Sequence, residues 1–174
     1  MKKFFAKDKL GLVCIIVILS LPAIVGLLHK GFFVTDDGEW MIIRFSAFYQ
    51  ALHDGQFPVR FLQRLNFNYG YPASTFLYPG FMYAGILFHI LKIGFVDTIK
   101  WILGISLFGT TIFTYFWLSK MFTKKSAAVI GALVSLYVPY HFYDIYTRGS
   151  VGEVFALLWI PFVLWMIEKK IHFL

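Results

Sequence analysis

The sequence predicts an all-α integral membrane protein. Four transmembrane helices are expected, with five as the alternative, plus amphipathic helices at the outer membrane surface. Three observations predict this. Of the 174 residues, 59% are hydrophobic and only 14% charged, against about half and about a quarter in soluble domains. The mean hydropathy is +0.72. The apolar residues form long uninterrupted runs, as bilayer-spanning helices require. Aromatics reach 21%, which suits membrane interfaces and packed helices. The net charge of +7 does not point to nucleic acid, because the lysines sit in short runs between apolar segments, the pattern that sets membrane orientation. The single cysteine, Cys14, excludes an internal disulfide, and its position in an apolar run reads as a small buried residue.

The first span follows the basic start MKKFFAKDK and covers residues 10–28, about 19 residues and enough for a bilayer core. It reads as an uncleaved anchor, since it is long for a signal segment and lacks a convincing small-x-small cleavage site. Further spans are expected at about 98–118, 127–143 and 154–167, all within a single membrane domain of residues 1–174. The stretch 76–91 is short and carries Pro79, Gly80, Gly85 and His89. Its placement decides the topology. As a fifth span it would put Lys120, Lys124, Lys125, Lys169 and Lys170 outside, against the positive-inside rule. As an interfacial or re-entrant segment it leaves four spans with both termini inside. The cytoplasmic segments then hold nine of the sixteen basic residues, including Lys2, Lys3, Lys7 and Lys9, and seven of the nine acids fall outside.

Two outer segments result, a long loop over about 29–97 and a short loop over 144–153. In the first, Trp40, Ile43, Ala47, Phe48, Ala51 and Leu52 follow helical spacing, and Gly55 with Pro58 stops the pattern. The reading is a surface helix of about 16 residues. Asp36 and Asp37 stand at its start. They suit the helix N-terminus as caps and dipole partners, and equally a carboxylate pair serving as general base or metal ligand. A capping aspartate would also be well oriented for chemistry. Arg60 and Arg64 fit either phosphate binding or snorkelling at the interface. Tyr69, Tyr71 and Tyr78 fit either sugar stacking or an aromatic belt. In the second loop, Asp144, Arg148 and Glu153 lie within ten residues. Glu153 suits a helix start. Arg148 is placed to pair with Asp144 or Glu153, or to grip an anionic phosphate.

The order TDDGEW, DGQFP, NYGYP, FLYPGFMY and YDIYTRGSVGE, set behind a basic start and one span, resembles the N-terminal part of bacterial multispanning proteins of the YfhO type. It is most similar to those labelled 6-pyruvoyl-tetrahydropterin synthase-related, although no pterin chemistry is evident in this chain. Those proteins look like the GT-C class of glycosyltransferases. The resemblance spans about residues 9–170, and its motifs are specific in combination rather than singly. It implies a polyprenyl-phosphate-linked sugar donor, an acceptor at the outer face of a bacterial inner membrane, and a catalytic acid at Asp37 with Asp36 beside it. It also implies that Arg148, with Arg60 or Arg64, neutralises the leaving lipid phosphate. Glu153, Asp144 and Tyr71 support the site. No cofactor is required, but a divalent metal held by Asp36, Asp37 and Glu153 is compatible with the class. Members of the class continue through many more spans, so the resemblance implies a fragment or a chain that works with a partner. The alternative is a non-catalytic membrane module that assists cell-envelope polymer or lipid handling. A transporter fragment is a third reading, disfavoured because most acids lie in the outer loops.

Overall fold

The computed structural model describes the backbone of residues 2–171 and side chains from Gly11 to Lys170, so the side chains of Lys2, Lys3, Lys7 and Lys9 fall outside it. The protein is all α-helical. Eight α-helices run through the described residues: α1 (Lys2–Ile24), α2 (Gly38–His53), α3 (Ala73–Phe76), α4 (Gly80–Ile90), α5 (Phe95–Met121), α6 (Lys125–Leu136), α7 (Pro139–Phe142) and α8 (Val151–Ile171). Among the described residues there is no strand, only an isolated antiparallel bridge between Leu62 and Tyr71.

Among the described residues, four segments are long and apolar enough to cross a membrane: Gly11–Leu28, Phe95–Met121, Lys125–Arg148 and Val151–Lys170. The stretch expected at 76–91 is broken at Leu77–Pro79, and only the eleven residues of α4 are continuous helix. At 1.5 Å per residue α4 reaches about 16 Å, roughly half of a bilayer core. The third span departs from one regular helix. Pro139, which has no N–H to donate, separates α6 from α7, and a π-helical turn, Tyr143–Arg148, follows directly.

The chain forms two compact units. One comprises residues 1–29, 104–143 and 156–174, and the other 30–103 and 144–155. In the first unit α1 packs on α6. Ile16, Tyr115, Ala128, Val129 and Ala132 form its core, with Ala128 and Ala132 one turn apart so that the helices approach closely. Tyr137 Oη reaches across to donate to the Leu19 carbonyl at 2.6 Å. Gly109 of α5 lies against Leu158 of α8, beside a cluster of Phe113, Phe116, Phe162 and Trp165. Three hydroxyls of α5 are satisfied within the helix: Thr110, Thr111 and Thr114 each donate to the carbonyl four residues back. That arrangement lets polar side chains sit in an apolar surrounding at little cost. Cys14, read as buried, is instead exposed on the surface of α1. In a spanning helix an outward thiol meets lipid, and the apolar preference of Cys is met there as well as in a core.

In the second unit α2 packs on α4. The length of α2 is the 16 residues expected, but its buried face is Met41, Phe45 and Phe48, with Ala47 and Ala51. Trp40 and Ile43, placed on that face by the sequence reading, are exposed. Phe45 presses on Gly85 of α4, where a Cβ would come within 2.7 Å of its ring, and Phe48 meets Tyr83 edge-on. Each such fully buried Phe contributes about 1.5–3 kcal/mol. The Tyr83 hydroxyl in turn accepts the Val59 N–H at 3.0 Å and ties the following loop to α4. Gly55 stops α2 as expected. With φ +91°, it donates to Leu52 while Gln56 donates to Ala51, the paired bonds of a Schellman ending.

The same ending closes α4, where Lys92 donates to His89 and Ile93 to Phe88. Here the left-handed position, φ +65°, is occupied by a lysine. A β-carbon there costs about 1–2 kcal/mol. Lys92→Gly is therefore expected to stabilise the protein by about 1 kcal/mol, read as a raised unfolding midpoint in detergent. An unchanged or lowered midpoint would show that the Lys92 side chain contributes more than its backbone costs.

Candidate functional site

All the acidic residues that the sequence singles out lie in the second unit. The first group is the turn before α2. Asp37 occupies the N-cap position but makes no side-chain capping bond. Thr35 does that work, its Oγ1 accepting the Gly38 N–H at 2.9 Å. The sequence offers three cap-competent residues, Thr35, Asp36 and Asp37, and the Thr35 hydroxyl takes the Gly38 N–H. Both aspartates are exposed, and neither forms an ion pair among the described residues. The Asp37 carboxylate therefore stands at a helix N-terminus without being consumed by it, with the positive end of the dipole behind it.

The second group was expected to be a loop over 144–153. It is mostly helical. The π-helical turn carries Asp144 and Arg148, and Glu153 lies in the first turn of α8. Only Gly149 and Ser150 separate the two elements. The reason is electrostatic. Arg148 Nη1 donates to Asp144 Oδ1 at 2.6 Å and to Glu153 Oε2 at 2.9 Å, so one guanidinium nitrogen joins both helical ends. Asp144 is fully buried, while Glu153 and Arg148 are about one-third exposed. Ser150 adds a bond from its Oγ to Glu153 at 3.3 Å, and its N–H donates to the Asp144 carbonyl at 2.9 Å. Ser150-Val-Gly-Glu153 has the S-x-x-E spacing of a helix start. Arg148 thus forms the ion pairs expected as one of its two readings. Its Nη2 and Nε are not used in those pairs, and a guanidinium has five N–H donors in all.

The two groups meet through their backbones. The Asp36 N–H donates to the Thr147 carbonyl at 2.9 Å, and the Asp37 N–H to the Arg148 carbonyl at 2.8 Å. Phe33 and Tyr146 pack beside them with ring centroids 5.2 Å apart. Gly149 makes the approach feasible. Its φ is +70°, and a Cβ there would lie 2.5 Å from Gly38 N and 2.7 Å from Gly38 Cα. Four spans would set two segments bonded in this way on one side of a membrane, and five would set them on opposite sides.

The remaining expected residues are more scattered. Arg60 is exposed, with its backbone N–H held by Gln56 Oε1 at 2.9 Å. Arg64 Nη2 donates to Ser46 Oγ at 2.7 Å, in a cleft with Gln50, Asp54, Gln63 and Asn68. Neither takes part in the Arg148 network. Tyr71 lies under the guanidinium of Arg44, 5.8 Å from ring centroid to Cζ. Among the described residues no three His, Cys, Asp or Glu side chains converge as a metal site. Asp36, Asp37 and Glu153 therefore do not form the oxygen cluster that a shared metal would need, because Glu153 is turned toward Arg148 and Ser150. Sequence reasoning missed Thr35, whose three-residue spacing to the helix start was the available signal. It also missed Arg44, which no motif marked.

Fold and site together define an all-α, multi-pass type of membrane protein in which an acidic turn is bonded to an arginine–carboxylate turn. No family model, characterised protein or solved structure matches the chain.

Proposed function

We propose that the protein is a GT-C-like glycosyltransferase, or the N-terminal part of one, that moves a sugar from a polyprenyl phosphate to an acceptor at the outer face of a bacterial inner membrane. The observation that carries this reading is the pair of backbone bonds from Asp36 and Asp37 to Thr147 and Arg148. They join an uncommitted carboxylate to a fixed cation in one compact unit. In the reaction, Asp37 takes the proton of an acceptor hydroxyl as that oxygen attacks the anomeric carbon from the face opposite the lipid phosphate. The new C–O bond forms as the anomeric carbon–phosphate oxygen bond breaks, and the phosphate leaves with the bonding electrons. Configuration inverts. The free donors of Arg148 stabilise the charge that develops on the phosphate, and Asp144 and Glu153 fix the guanidinium in position. Asp36 shapes the turn. Arg60 and Arg64 hold the lipid headgroup at the interface. The N-terminus is cytoplasmic in this arrangement.

A second reading has its own support. Arg148 is already paired with two carboxylates, which suits a non-catalytic membrane module that uses the network only to fix its outer turns. Turnover of polyprenyl-phosphate-linked sugar by the full chain in its native membrane separates the two. A transferase loses turnover in Asp37→Asn with its helical content unchanged. Equal turnover in variant and wild type removes Asp37 from catalysis and favours the module.

A further inference from the structure

Away from the acidic turn, α2 meets the loop that follows it. Trp40, Arg44, Leu65, Asn66, Phe67 and Tyr71 line a cleft of about 370 Å³, within the range of about 300–1,000 Å³ typical of small-molecule sites. We propose that this cleft binds a pyranose ring, as the subsite for the sugar or the acceptor glycan of the transfer proposed above. It rests on that reading for its role but not for its geometry.

Several observations lead to a carbohydrate. Trp40 and Arg44 lie one turn apart on α2, whose N-cap is Asp37, so the cleft begins within a turn of the proposed base. Its rings are exposed at a cost. Trp40 is 55% exposed and Phe67 97%, while Tyr71 is 37% exposed. A pyranose offers an apolar C–H face for such rings and a rim of hydroxyls for polar groups. The cleft supplies both kinds of polar partner. Arg44 brings guanidinium donors and lies over Tyr71. Asn66 Nδ2 is fixed by donating to the Gly70 carbonyl at 3.2 Å, which leaves its Oδ1 as an acceptor.

The loop is also built to hold this shape. Asn66, Phe67 and Asn68 have φ of +50°, +55° and +69°, a left-handed run that L-residues seldom sustain. It is clamped at its base by the reciprocal Leu62–Tyr71 bonds of 2.8 and 3.1 Å, and by the Gly70 N–H on the Leu65 carbonyl at 2.9 Å. Strain of this kind persists where surrounding structure over-determines it. A lipid-inserting tip would also use an exposed Phe67. It would have no use for a guanidinium and a carboxamide turned into the same concavity.

Saturation-transfer NMR tests the proposal, using the full chain in lipid nanodiscs free of sugar detergents. The probes are millimolar methyl glycosides of glucose, galactose, mannose and N-acetylglucosamine. At least one should receive saturation at its ring C–H protons. Trp40→Ala and Tyr71→Ala should each weaken binding about tenfold, the scale of one lost aromatic contact. Trp40→Phe should largely restore it, and Gly31→Ala, where an added Cβ meets nothing within 4 Å, should bind as wild type does. No transfer to any probe, or equal transfer with and without Trp40 and Tyr71, overturns the proposal. So does quenching by brominated lipid of the emission that Trp40→Phe removes, which would place the cleft in the bilayer. Glycoside binding alongside an Asp37→Asn variant that still turns over would leave the cleft standing and remove the transferase. Lost turnover without glycoside binding would do the reverse.

Discussion

Asp37→Asn is expected to slow sugar transfer by about 10²- to 10⁴-fold, the contribution typical of a positioned general base. The asparagine keeps the size and helix-start preference of aspartate but cannot take a proton at neutral pH. Because Thr35 supplies the capping bond to Gly38, the substitution costs the helix little. Folding and the proposed catalysis are therefore separable at this position. Asp36→Asn is expected to have a smaller effect, since Asp36 supports the turn through its backbone N–H on Thr147, which the substitution retains. The comparison is made on initial rates of transfer with both variants at matched membrane levels. A larger loss in Asp36→Asn than in Asp37→Asn would exchange their roles.

Gly149→Ala is expected to be the most damaging single methyl in the second unit. The backbone is left-handed there, at φ +70°, which costs a β-carbon about 1–2 kcal/mol. The added carbon would also lie 2.5 Å from Gly38 N and 2.7 Å from Gly38 Cα. Those are backbone atoms, and they cannot rotate aside. Overpacking of this kind typically adds about 1–3 kcal/mol, so the combined destabilisation is about 2–5 kcal/mol. The bonds that join Asp36 and Asp37 to residues 147 and 148 should open first. Thermal unfolding in detergent measures the stability loss. Protease sensitivity between residues 35 and 38 measures the opened turn. Gly31→Ala is the control, because Gly31 is also left-handed but a Cβ there would meet nothing within 4 Å. If Gly149→Ala cost no more than Gly31→Ala, the close approach of the two turns would not hold.

Much of this architecture was legible in the sequence because bilayer thickness imposes it. The four apolar runs had to be helices of spanning length, and α4 was readable as too short from its Pro and Gly content. Gly55 marked the end of α2 because a left-handed closing residue favours glycine. The buried face of α2 was legible in part: Ala47, Phe48 and Ala51 were expected on it and are buried. Trp40 and Ile43 satisfy a helical period as well as Met41 and Phe45 do, and only the neighbouring α4, through Gly85 and Tyr83, selects between them. The second outer segment was misread for a related reason. Asp144, Thr147 and Arg148 look like loop residues by composition, yet the Asp144–Arg148 pair lies four residues apart and holds a helical turn together. The union of the two acidic turns needed the fold itself, since its bonds are between backbone atoms that carry no sequence signal. The exposed Trp40 and Tyr71 were likewise invisible as a pair until the left-handed run at residues 66–68 brought their loop back onto α2.

In the proposed arrangement the Asp36–Asp37 turn and the Arg148 turn share the outer face of a four-span protein. Single cysteines at Asn68, Thr123 and Thr147, in a Cys14→Ala background, test it with an impermeant thiol reagent on intact cells. Asn68 and Thr147 are exposed positions flanking the two turns, and Thr123 lies between α5 and α6. Labelling is expected at 68 and 147 from outside, and at 123 only after permeabilisation. Labelling at 68 and 123 with 147 protected would contradict it, and would separate Asp37 from Arg148 by the membrane itself.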